Sequence, residues 1–180
     1  MTRVMVVYAS RHGATKGIAE RIGATLAEAG LETSVHEAAT APDPGTCDAL
    51  VIGSAAYMGK WLDEAADYVQ RHHAAIAARP TWIFSSGPVG TEVVDRKGND
   101  LLAPPTFARR LVDDVHARGS HVFFGRWDPS DPAVTFAERL FQKLPLSRDL
   151  LPVGDFRDWP AIDDWAREIA GTLATAAAAR

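Results

Sequence analysis

Short β-branched runs alternate with segments of helical spacing along this chain. Val4 to Tyr8 is a continuous apolar run, the pattern of a strand covered on both faces. From Gly13 to Gly30, Ile18, Ile22, Leu26 and Ala29 recur on one helical face, and Gly30 suits the position just past a helix end. Leu31 to Glu37 predicts a weaker strand, Ala41-Pro42-Asp43-Pro44-Gly45 a loop, and Ala49 to Gly53 a second buried strand. Trp61 to Ala78 predicts a helix with Leu62, Ala65, Ala66, Val69 and Ile76 inward, broken at Arg79-Pro80. Thr81 to Ser85 is a third buried strand.

Beyond it, Ser86 to Pro105 is polar and punctuated by glycine and proline, which reads as a surface loop. Phe107 to Ala117 predicts a helix ended at Gly119, and His121 to Phe124 a fifth strand. Gly125 to Pro160 is irregular apart from a helical piece from Val134 to Leu144. Ala161 onward is a final helix carrying Ile162, Trp165, Ile169 and Leu173. Strands joined through helices imply a parallel sheet covered on both faces. The expectation is one α/β domain with a doubly wound, five-stranded parallel sheet.

Composition narrows the chemistry. The chain has 180 residues, 47% hydrophobic and 23% charged, which is globular and not disordered. A single cysteine, Cys47, rules out an internal disulfide framework and a cysteine-built zinc site. A net charge of -4 makes nucleic acid an unfavoured partner. No apolar run reaches the roughly 20 residues of a membrane helix, and the N-terminal run is too short for a signal-peptide core. The expectation is a soluble, cytoplasmic protein.

In doubly wound sheets ligands sit beyond the carboxyl ends of the strands. The first strand ends in Ser10-Arg11-His12-Gly13-Ala14-Thr15, directly before a helix. Free backbone N–H groups, a positive helix end and two hydroxyls favour a phosphate there; a plain N-cap by Ser10 or Thr15 is the other reading. The second end, Ser54-Ala55-Ala56-Tyr57-Met58-Gly59-Lys60-Trp61, offers aromatics for a flat ligand. Trp61 reads equally well as packing at a helix start. The third end, Ser85-Ser86-Gly87-Pro88-Val89-Gly90, offers hydroxyls and N–H groups for the edge of a heterocycle, or is a glycine-proline turn.

Other nucleotide and phosphate motifs do not fit. There is no Gly-Lys-Ser/Thr Walker ending and no Gly-x-Gly-x-x-Gly fingerprint. A receiver domain lacks its aspartate here, because the second buried strand ends in Gly53-Ser54. A tyrosine phosphatase lacks its first-loop cysteine, and no Gly-x-Ser-x-Gly elbow is present. His72-His73 reads as a solvated helix face, not a metal site, and Cys47 as structural.

A phosphate loop, an aromatic loop and a small polar loop, in that order, describe a flavin mononucleotide (FMN) site. Here the sequence resembles the flavodoxin family. Its phosphate loop, Thr/Ser-x-Thr-Gly-x-Thr, is matched at Ser10, Gly13 and Thr15, while His12 replaces a hydroxyl. The resemblance implies a single flavodoxin-like domain over residues 1–180, Tyr57 in the loop that supplies a stacking aromatic, and Ser85 to Gly90 as the third flavin loop. Within the family the chain looks most like the menaquinone-dependent protoporphyrinogen oxidases. That likeness rests on Gly53-Ser54 to Gly59, Arg126 to Leu151, and Asp158-Trp159 followed by Trp165 to Ala170.

The resemblance implies FMN-dependent redox chemistry on a quinone- or porphyrinogen-like substrate. A flavodoxin-type electron carrier with a protein partner, and a flavin-free interaction module, are the alternatives. No catalytic side chain and no metal are assigned. Arg11, His12, Lys16 and Lys60 make the first two loops cationic, which raises the expected two-electron potential of a bound flavin. Lys16 reads also as a solvated surface residue. Trp127, Asp128, Asp131 and Asp155 sit where they could rim a substrate pocket. The amphipathic stretch Val134 to Leu144 packs in the core, covers the flavin edge or meets a membrane surface. A homodimer is left open.

Overall fold

The computed structural model describes residues 1–57, 59–95, 97–131 and 152–178. Met58 and the predicted helix from Val134 to Leu144 lie outside the described residues. Five parallel strands form the sheet: β1 (Arg3–Ala9), β2 (Glu32–Glu37), β3 (Ala49–Tyr57), β5 (Thr81–Ser86) and β6 (Gly119–Phe123). Their order is β2-β1-β3-β5-β6, so the chain reverses its winding direction between β1 and β3. A short β4 (Lys60–Trp61) pairs antiparallel with the end of β3, and β7 (Arg126–Trp127) pairs with β8 (Gly154–Asp155) in a separate ribbon.

Period-two alternation distributes the core. Val4, Val6 and Tyr8 of β1 face α1 (Ala14–Glu28) and the final helix α4 (Trp159–Ala178), with Ile18, Ile22, Ile162 and Ile169 opposite. Met5, Val7 and Ala9 face α2 (Asp63–Ala77) and α3 (Thr106–Asp114), against Ala65, Val69 and Leu111. The two helix layers satisfy both faces of the central strands, which is why those strands read as unbroken apolar runs. Among the described residues no helix is long and apolar enough to cross a membrane.

Several boundaries differ from the sequence reading. Trp61 belongs to β4, not to α2, because β3 runs on to Tyr57 and folds back. Gly59 permits the return with φ of 77°, a left-handed conformation that glycine adopts without cost. Helix α1 ends in a Schellman arrangement, with Gly30 N–H on Ala27 O and Leu31 N–H on Leu26 O. His72 is not simply solvated: its ring packs on Tyr68 at 4.8 Å and its Nδ1 lies 3.6 Å from the Asp43 carboxylate. Cys47 is buried, with its thiol on the Pro44 carbonyl, and burial pushes its pKa up.

Candidate cofactor site

The carboxyl ends of β1, β3 and β5 converge on one cavity. Ser10, Arg11, His12, Ala14 and Thr15 form its first wall, and Ala55, Ala56 and Tyr57 the second. Ser86, Gly87 and Val89 form the third. The segment after β6 adds a fourth wall of Gly125, Arg126, Trp127 and Asp131. Sequence reasoning assigned no cofactor residue there. The signal was available: Gly125 comes just past the end of β6, as Gly87 comes just past β5.

The first wall is shaped by Gly13. It is the residue before α1, with φ of 80°, and no side chain caps the helix. The plain N-cap reading for Ser10 or Thr15 is therefore not what the structure holds. The first-turn N–H groups of α1 have no preceding helical carbonyl to meet, and the first turn carries no acidic side chain. That combination suits an anion.

Three expected contacts turn inward instead. Trp61 Nε1 donates to Ser85 Oγ at 2.9 Å, tying β4 to β5. The Leu62 N–H donates to Ser54 Oγ at 3.1 Å, closing the start of α2. All three side chains are buried and none lines the cavity: Trp61 and Ser85 join β4 to β5, and Ser54 holds the start of α2. Gly13, Gly59, Pro88 and Gly90 are likewise not among the lining residues. The Pro88 carbonyl accepts the Gly125 N–H at 2.7 Å, joining third wall to fourth, and Gly90 lies against Pro152.

Charge inside the cavity is organised. The Arg11 guanidinium stacks over the Tyr57 ring, 4.8 Å from its centroid. Arg126 holds Asp131 through one nitrogen at 2.7 and 2.6 Å from its two oxygens, and this contact keeps the guanidinium more firmly charged. Outside the walls, Lys16 pairs with Glu20 on the exposed side of α1. Asp155 pairs with Arg157, which holds its carboxyl below the usual range. Asp128 accepts from Ser130 and is likewise lowered.

The residues present fit an anionic aromatic nucleotide. Among the described residues, two buried side-chain polar atoms have no protein partner, Ser10 Oγ and Trp127 Nε1, and both side chains line this cavity. Buried polar groups are normally paired, so a ligand or an ordered water bound here can supply the missing partners.

Comparison with known proteins agrees. A family model described as a flavodoxin domain matches residues 5–130. A flavodoxin from the domain Archaea superposes with a TM-score of 0.59 at 14% identity, covering 95% of this chain and 98% of that one. A Streptococcus pneumonia flavodoxin gives 0.54 at 16% identity, covering 94% and 99%. A flavodiiron core from Synechocystis gives 0.63 at 14% identity, with 97% of this chain matching only 36% of the larger one. At these identities the structural likeness speaks for the fold, while the family match spans most of the sequence. The chain belongs to the flavodoxin domain family, whose cofactor is FMN.

Proposed function

We propose that this chain is a single-domain, FMN-dependent oxidoreductase that exchanges electrons with a small aromatic substrate of the quinone or porphyrinogen class. On this reading Ser10, Thr15 and the first turn of α1 hold the phosphate. Tyr57 backs the ring, and Ser86, Gly87 and Val89 meet its polar edge. The flavin supplies the redox chemistry, and the protein binds it, orients it and sets the charge around it.

One observation supports a greasy organic substrate. Apart from Met1, the large exposed apolar side chains among the described residues are Tyr57, Val93, Val94 and Val153. Of these, Tyr57 lines the cavity, where Arg11 and Arg126 also stand. An exposed aromatic ring beside two guanidiniums suits a planar, partly anionic molecule. The experiment is direct. The protein is loaded with FMN, photoreduced without oxygen and mixed with a soluble quinone. Transfer of two electrons and two protons to give the quinol, faster than electron transfer to a small acidic redox protein, supports this reading.

The second reading is an electron carrier that serves a protein partner. It is supported by the likeness to flavodoxins and to a flavodiiron core. Faster reaction with the protein acceptor selects it. A chain whose absorbance spectrum and melting temperature ignore added FMN is neither, and serves as an interaction module.

A further inference from the structure

We propose, on the FMN reading above, that the indole N–H of Trp127 donates to the cofactor's phosphate, so that Gly125–Trp127 is a fourth cofactor-contacting segment that selects FMN over riboflavin. An indole nitrogen is a donor only. In Trp127 it is buried and meets no protein acceptor, although the side chain lines the cavity. An unmet buried donor is costly, so its acceptor comes with the ligand.

The ribbon that carries Trp127 is anchored at the phosphate end. Trp127 pairs with Gly154 and Arg126 with Asp155. Asp155 then holds Arg157 by a fork of 2.7 and 2.5 Å. The same guanidinium reaches the Ala14 carbonyl at 3.4 Å and fills the space a side chain on Gly17 would need. Ala14 and Gly17 are the first turn of α1. The ribbon is thus fastened to the element that opens toward an anion, and Ser10, the other unmet donor, belongs to the same wall. A phosphate has acceptor oxygens for both donors and for the helix N–H groups, whereas the ring of a flavin offers few.

The donor is also held in place. The Phe156 N–H binds the Gly125 carbonyl at 3.0 Å, and the Gly125 N–H binds Pro88 O at 2.7 Å. Arg126 is fixed by Asp131. A donor positioned by its surroundings loses little freedom on binding, so its removal is felt in affinity.

The test compares FMN with riboflavin, which lacks the phosphate, by quenching of flavin fluorescence. In Trp127→Phe the affinity for FMN falls about tenfold while that for riboflavin stays within about twofold, as expected for one lost bond to a charged acceptor. Ser10→Ala gives the same asymmetry. A second readout needs no variant to bind ligand: the indole resonance of Trp127, identified by its loss in the Phe variant, moves downfield when FMN or inorganic phosphate is added to wild type and stays in place with riboflavin. Equal losses for both flavins, an unchanged preference, or an unmoved resonance overturn the assignment. A wild-type protein that binds neither flavin overturns the FMN reading itself. A wild type that binds FMN while the Phe variant keeps its full preference overturns only the role of Trp127.

Discussion

Arg21 of α1 grips Asp163 of α4 in a two-point fork, with Nε and a terminal nitrogen 2.6 and 2.5 Å from the two carboxylate oxygens. Thr25 adds its hydroxyl to the same carboxylate at 3.0 Å. The carboxylate is almost wholly buried, yet the guanidinium pays little desolvation because half of its surface stays in water. The fork clamps the helix that begins at the cofactor site to the last helix of the chain.

Asp163→Ala leaves Arg21 and Thr25 without their acceptor. We expect a loss of about 2 kcal/mol in unfolding free energy, below the range for fully buried pairs because Arg21 is half exposed. Urea unfolding at neutral pH measures it. A loss under about 0.5 kcal/mol, the size of a surface pair, would show the clamp to be incidental.

The same residue sets an acid limit. The hydrogen bonds from Arg21 hold the Asp163 carboxyl down to about 2, below its usual range. A lowered folded pKa gives stability that is present above the unfolded value of about 4 and is lost as pH falls toward the folded one. Wild type therefore loses stability between about pH 4 and pH 2 more steeply than Asp163→Asn, which has no carboxyl to protonate. Parallel acid profiles of the two proteins would refute this.

Arg11 stands over Tyr57 inside the cavity. Positive charge there favours the more negatively charged reduced flavin. Arg11→Gln lowers the two-electron midpoint potential by roughly 30 mV, the equivalent of about 1.4 kcal/mol. Potentiometric titration of the FMN-loaded proteins reads it, and a rise on substitution contradicts the sign. The wild-type potential is correspondingly expected above that of a flavodoxin with an acidic flavin surround.

Gly13 holds φ of 80° with open space where a side chain would go. Gly13→Ala therefore meets backbone strain and no clash, at a cost of about 1–2 kcal/mol. If the loop relaxes to relieve it, FMN affinity falls further than stability does. Calorimetry and flavin titration separate the two, and full retention of both shows that the left-handed geometry is not required.

Trp61 and Ser85 form a pair behind the cavity wall. Ser85→Ala leaves the indole N–H unmet and costs about 1–2 kcal/mol of stability. FMN affinity changes by less than about twofold, because the hydroxyl joins β4 to β5 and does not face the ligand. A large loss of affinity with unchanged stability reverses that assignment.

Much of the site was legible because it lies where strands end. Ser10 and Thr15, which line the cavity, stand out by type and spacing, and Tyr57 by its place after small residues. Trp61, Ser54 and Ser85 looked alike in sequence but point elsewhere. Direction depends on the return of β3 through Gly59, which places Trp61 opposite Ala56 and its indole against Ser85. Nothing in the local pattern distinguishes a tryptophan that starts a helix from one on a two-residue strand.

The sequence by itself determined the parallel, helix-covered sheet, since unbroken apolar strands can be satisfied only between two layers. It also determined the small polar loop before α1, whose glycine and hydroxyls lie within a few residues of one another. Tertiary structure alone decided the order β2-β1-β3-β5-β6 and the fourth wall at Gly125, Arg126, Trp127 and Asp131. The fourth wall is held by Arg157 reaching Ala14 and by Gly125 meeting Pro88, contacts between residues far apart in the chain. Local spacing carries no record of such meetings, because they exist only once the sheet has closed the distance between them.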